Sequence, residues 1–223
     1  MKLIKLLFFF FLIFLVFSCS TGNEIDNLTT DQAKTMIQEK GLKFDDVTFV
    51  SEKVQEDVEL VKLFIKAGMP ANTTHPSNWT PLHGAISGKE NFEVLNVLVN
   101  SGADINSYGI FIKDKTPLGV AAREDENINS LNLLINAGAD LNKYCGQYTP
   151  LMIAVSNGQA KSVKALIDAG ADLNLLSKPT HGTGKTALGI ALMIKESGQK
   201  IVTAKSPNIP EVIRLLKEAG ARE

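Results

Sequence analysis

Thr80-Pro81-Leu82-His83-Gly84-Ala85 decides how this chain is read, because the pattern returns. Thr116-Pro117-Leu118 with Ala121, Thr149-Pro150-Leu151 with Ala154, and Thr186-Ala187-Leu188 with Ala191 repeat it at spacings of 36, 33 and 37 residues. Self-similarity at such a period marks a repeat architecture. Each position has a local reason. A threonine before a helix accepts a hydrogen bond from an orphan backbone N–H. A proline in the first helical turn loses nothing by lacking its own N–H. Leu82, Leu118, Leu151 and Leu188 then enter a core, and the alanines let neighbouring helices approach closely.

A second series is interleaved. Gly68, Gly102, Gly138, Gly170 and Gly220 each close an apolar run. Four residues before them stand Phe64, Leu98, Leu134, Leu166 and Leu216, and seven before them Val61, Leu95, Leu131, Val163 and Ile213. Positions three and four apart share one helix face, so each run is an amphipathic helix stopped by a left-handed glycine. Gly-Ala-Asp-x-Asn follows at Gly102, Gly138 and Gly170, and its Asp104, Asp140, Asp172, Asn106, Asn142 and Asn174 suit a turn. Together these residues resemble the ankyrin repeat over residues 44–223. The resemblance implies an all-α repeat solenoid of stacked helix-turn-helix units with β-hairpin loops, and protein binding rather than catalysis.

About five repeats are expected. The first, 44–66, is degenerate, lacking Thr-Pro-Leu but reading as two helices over 44–54 and 58–66. The last carries an insertion near 195–210, rich in Lys, Ser, Gly and Pro, which should lengthen its first helix and add a loop. Lys217 stands where Ile65, Val99, Ile135 and Ile167 stand in the others, which fits an exposed end. Ahead of the repeats, 31–43 holds a helix with Thr30 or Asp31 as N-cap and Gly41 as its stop, and 19–30 reads as a polar tether.

Residues 1–18 form an address. Lys2 and Lys5 precede the apolar run 6–17, and small residues follow from Ser18. Six of the 11 phenylalanines fall in this segment. Twelve helical residues reach about 18 Å, short of a ~30 Å hydrocarbon core, so a signal peptide fits better than a membrane span. Val16-Phe17-Ser18-Cys19 resembles a bacterial lipobox. That resemblance implies cleavage before Cys19, lipidation of its thiol, usually acylation of the new amine (palmitate among the acyl groups), and a membrane anchor. Ser20 in place of Asp leans towards the outer membrane. Ordinary secretion, with Cys19 unmodified and able to pair with Cys145, is the alternative.

Several chemistries fall away. Lys+Arg is 23 and Asp+Glu 24, which leaves no basic surplus for nucleic acid. Gly182-Thr183-Gly184-Lys185-Thr186 lacks the first glycine of a P-loop, Pro179 standing in its place, and no βαβ unit precedes it. His75, His83, His181 and Cys145 lack zinc-site spacing, and no Gly-x-Ser-x-Gly is present. Neither a metal, a cofactor nor a small-molecule substrate is expected.

What remains is surface. The loop residues before each capping threonine are Ser77, Asn78 and Trp79; Lys113, Asp114 and Lys115; Gln147 and Tyr148; and Lys185. The ends of the first helices offer Ser87, Arg123, Glu124, Ser156 and Asn157, and a longer loop carries Tyr108, Ile110 and Phe111. Trp79, Lys115, Tyr148 and Lys185 share one slot, mixing aromatic anchors with cations. Three functions compete: an envelope lipoprotein binding another protein, a periplasmic inhibitor or immunity-type protein with one target, and an enzyme using the 195–210 insertion as an active-site loop. The first fits the residues best.

Overall fold

The computed structural model describes residues 23–49, 54, 57–74, 80–87, 91–109, 116–179, 183–197 and 208–223. Its helices are α1 (Asn23–Asp26), α2 (Thr30–Glu39), α3 (Asp46–Phe49), α4 (Val58–Lys66), α5 (Pro81–Ser87), α6 (Phe92–Asn100), α7 (Pro117–Ala121), α8 (Ile128–Asn136), α9 (Pro150–Ser156), α10 (Ala160–Asp168), α11 (Ala187–Ser197) and α12 (Ile209–Glu218).

The first helices start on the expected threonines. Oγ1 of Thr116 accepts the Gly119 N–H at 3.1 Å, that of Thr149 the Met152 N–H at 3.4 Å, and that of Thr186 the Gly189 N–H at 3.0 Å. Thr80 Oγ1 does the same for His83 N–H at 3.4 Å and also meets His83 Nδ1 at 2.7 Å, which makes His83 a buried structural group. The second helices all stop alike. Gly68, Gly102, Gly138, Gly170 and Gly220 take φ of 82 to 95°, where any Cβ is strained. The next N–H then folds back onto a carbonyl inside the helix, as in Ala103 to Leu98 at 3.0 Å and Ala139 to Leu134 at 2.9 Å.

α2 stops at Gly41 as expected and also joins this series, a link the sequence reading did not draw. Gly41 has φ 71°, Leu42 N–H donates to Ile37 O at 3.1 Å, and Ile37 and Ala33 are buried. The second helices α2, α4, α6, α8, α10 and α12 pack successively, and the first helices α5, α7, α9 and α11 stack beside them. The result is an all-α solenoid. Its core is a continuous file of Leu, Val, Ile and Ala from both helix rows, closed at the amino end by Phe49, Phe64 and Phe44, whose rings stack at 5.5 and 5.9 Å.

Three expectations change. The N-cap of α2 is Thr29, which exchanges a capping box with Gln32, rather than Thr30 or Asp31. Over its described part the 19–30 tether is docked: α1 packs on α4, Ile25 is buried, and Lys66 Nζ donates to the Asp26 carbonyl at 2.6 Å. In the first repeat, helix α3 covers Asp46–Phe49 and is capped by Asp45, whose carboxylate accepts the Thr48 N–H at 2.7 Å and titrates below its ordinary range because of its hydrogen bonds with Thr48. The expected β-hairpin loops are met in part: Cys145 and Tyr148 pair in an antiparallel bridge across a two-residue turn with Gly146 at φ 68°, Gly109 is a bridge residue as well, and the loops at 75–79, 110–115 and 180–182 lie outside the described residues.

At the far end α11 has 11 residues against seven in α5 and α9, the lengthening expected of the insertion, whose 198–207 portion lies outside the described residues. Lys217 is exposed, whereas Ile65, Val99, Ile135 and Ile167 pack against the core. Arg214 clamps Glu211 at 2.6 Å and Glu218 at 2.7 Å along α12, and its hydrogen bond holds the Glu211 carboxyl below the usual range.

Candidate functional site

The turns between repeats are tied to one another before they present anything outward. Asp104, Asp140 and Asp172 each accept the N–H two residues on, at 2.9, 2.9 and 2.8 Å. The asparagine reached by that bond then looks to the next repeat. Asn106 Oδ1 accepts Asp140 N–H and Asn142 Oδ1 accepts Asp172 N–H, both at 2.9 Å. Asn72 does the same for Asp104, and Asn174 for Arg222 at 2.9 Å. Lys178 N–H further donates to Gln147 O at 2.8 Å. The turns therefore form one hydrogen-bonded strip running along the solenoid.

On that strip Tyr108, Tyr144 and Leu176 occupy one slot, six residues after Gly102, Gly138 and Gly170. Tyr108 and Leu176 are exposed, and Tyr144 is half-buried, its hydroxyl donating to Leu176 O at 2.6 Å. Lys143 Nζ lies 4.2 Å over the Tyr108 ring and Lys178 Nζ 4.6 Å over the Tyr144 ring. An exposed cation–π contact contributes only about 0.5–1 kcal/mol, yet it orders both partners. The outcome is a ridge alternating apolar faces with lysines. Tyr144, Leu176, Lys143 and Lys178 escaped the sequence reading; counting six residues on from each glycine would have found the slot.

Tyr148 and Lys185 sit in equivalent places, as expected. Tyr148 is bridged to Cys145, and Lys185 exchanges hydrogen bonds with Ser177 at 2.9 and 3.0 Å; both side chains are exposed. The pairing also absorbs the Gly184-Lys185-Thr186 motif. Gly184 lies against the Ser177 carbonyl, and Thr186 caps α11 and donates to Arg222 O at 2.8 Å. Trp79, Lys115 and Phe111 lie outside the described residues, as do Ser77, Asn78, Lys113, Asp114 and Ile110.

The helix-end group is divided. Arg123 and Glu124 are exposed. Ser156 and Asn157 are half-buried and both donate to Ile153 O, at 3.0 and 2.8 Å, so they finish α9 as much as they face outward. Met193 is the missed member of this row, seven residues after Thr186 as Arg123 is after Thr116, and it is 44 % exposed. At 1.5 Å per residue the length of a first helix puts this row about 10 Å from the threonine caps. Ser87 belongs to it by position, with its side chain outside the described set.

Cys145 is not at a loop tip. It is buried under the turn, with Sγ 3.0 Å from Thr116 Oγ1 and pressed on Gly119 of the preceding repeat. Gly109, in the same slot one repeat earlier, lies against the His83 imidazole. Large meets small at these two boundaries: His83 with Gly109, then Gly119 with Cys145. Among the described residues no cluster of His, Cys, Asp and Glu is placed to hold a metal ion.

A family model for ankyrin repeats (three copies) matches residues 108–177, and one for a single ankyrin repeat matches 77–109. Residues 77–177 are ankyrin repeats. The helix stack continues beyond both ends of that stretch, through α2 and α4 on one side and α11 and α12 on the other. No curated protein matches the chain. Ankyrin repeats suggest a protein–protein interaction module.

Proposed function

We propose that this protein is a lipid-anchored interaction module of the bacterial envelope, held at the outer membrane through Cys19 and capturing another protein with the turn strip of its ankyrin repeats. The anchor reading is supported by the sequence of residues 1–22, where an apolar run and a small residue lead to Cys19. A second acyl group would make the attachment firm, because one chain alone binds a bilayer only marginally.

The observation that carries the binding reading is the Tyr108–Tyr144–Leu176 ridge with Lys143 and Lys178 laid over its rings. Rigid aromatics desolvate at little entropic cost, and rim cations steer encounter. The partner this suits offers an apolar surface flanked by carboxylates. Tyr148 and Lys185 widen the strip, with Trp79 and Lys115 in the same sequence slot, and Arg123, Glu124, Ser156 and Asn157 flank it.

Two measurements test this. Cys19→Ala should move the protein from the membrane to the soluble fraction; unchanged detergent partitioning would remove the anchor from the proposal. Tyr108→Ala and Tyr148→Ala should each weaken capture of a crosslinked membrane partner, by about 2 kcal/mol where the residue is a hot spot, without moving the melting midpoint. Full capture by both variants would place the interface elsewhere.

A further inference from the structure

The described chain begins at Asn23, and the residues directly after it are packed. Ile25 is buried against α4, Leu28 packs on the same core, and Lys66 holds the Asp26 carbonyl. The Thr29–Gln32 capping box fixes the next turn, and both α1 and α2 lie on α4. Beside this start is an open cleft of about 780 Å³, lined by Ile25, Leu28, Lys62, Ile65, Val97 and Asn100 among others. From Asn23 back to Cys19 is four residues, at most about 14 Å of extended chain.

Taking the acylated Cys19 of the proposed function as given, we infer that the amino-terminal end of the solenoid rests directly on the bilayer carrying the anchor. The cleft between α1, α4 and α6 faces the lipid interface, and the later repeats stack away from it. A glyceryl-linked acyl group emerges where the acyl chains meet the headgroups. The headgroup layer on each side of the hydrocarbon core is about 5–8 Å thick. A 14 Å link ending in a docked helix thus leaves little slack beyond that layer, and the fold cannot swing as it would on a flexible tether. The lining suits the position. Apolar Ile25, Leu28, Ile65 and Val97 stand among Lys62, Lys66, Thr29, Thr30 and Asn100, the mixture that surfaces lying at a headgroup boundary present. The occupant of the cleft is therefore the lipid interface rather than a soluble peptide or a second copy of the chain.

The experiment uses the full lipidated chain in phospholipid vesicles doped with a headgroup-linked quencher. One fluorophore is placed on Asn100→Cys or on Lys217→Cys, while the buried Cys145 thiol is protected by the native fold. Asn100 lines the cleft at the end of α6, and Lys217 lies near the end of α12, three second helices further along the stack. Quenching should be severalfold stronger at 100 than at 217. A twelve-residue Gly/Ser insertion between Gly22 and Asn23 adds about 20 Å of root-mean-square reach and should erase most of that difference. The intact mass of the same sample reports acylation. Acylated protein quenched equally at both sites, or more strongly at 217, overturns the seating and leaves the anchor standing. Protein without an acyl group overturns both.

Discussion

Gly119 and Cys145 meet across a repeat boundary, and neither is interpretable alone. A methyl group at Gly119 would overlap Cys145 Sγ and crowd its Cβ. Gly119→Ala should therefore destabilise by about 1–3 kcal/mol as an overpacked core site. Cys145→Ala in the same chain removes the sulfur and should recover part of that loss, so the double variant is more stable than additivity predicts. Urea midpoints of the four chains measure this directly, and strictly additive values would contradict the contact. The threonine caps and the helix-closing glycines are different in kind. Their partners lie within five residues, and the motif alone announces them.

At the scale of the element, α10 is started by a residue from the repeat before it. Its own N-cap, Gln159, makes no side-chain cap; its Oε1 instead accepts Asp125 N–H at 3.0 Å. Asp125 answers by accepting Ser162 N–H at 2.8 Å, Ser162 Oγ at 3.0 Å and Lys161 N–H at 3.2 Å. A carboxylate at a helix N-terminus also meets the positive end of the helix dipole. Asp125→Ala should cost about 1–2 kcal/mol, the upper range for a lost cap, and should raise amide exchange first in the opening turn of α10. Exchange rising in α8, which comes after Asp125 in sequence, and not in α10 would refute the cross-repeat role. The sequence reading marked Asp104, Asp140 and Asp172 as turn formers, which holds, and gave Asp125 no role.

For the whole molecule, each repeat is stable through its neighbours, so position in the stack sets the cost of a lesion. Leu134 and Leu166 are fully buried between repeats, and truncation to alanine should cost about 2–5 kcal/mol each. Lys217 faces solvent on the last helix, and its replacement by alanine should stay within about 0.5 kcal/mol. Urea denaturation separates the cases, and equal midpoint shifts would mean that the stack does not end where α12 stands. The same neighbour dependence governs the turn strip. Its rigidity comes from asparagines that each reach into the following repeat, so a central unfolding event would dissolve the ridge as well as the core.

Consecutive residues were enough to establish the period, the helix starts at Thr80, Thr116, Thr149 and Thr186, the stops at the glycines, the exposed face at Lys217 and hence the solenoid. All of these come from hydrogen bonds and apolar spacing inside a single helical turn or two, and such local preferences are written in neighbouring positions of the chain. The same reading named Tyr108, Tyr148 and Lys185 as surface, since loop position alone implies exposure. Folding in three dimensions was needed to show that α2 packs on α4 as one more helix of the stack, that residues 23–28 are docked, and that Asp125 caps α10. It alone placed Tyr144, Leu176, Lys143 and Lys178 in one ridge and buried Cys145 beneath its turn. Those facts rest on contacts between residues about one repeat or more apart in the chain, where sequence spacing carries no distance and packing supplies it.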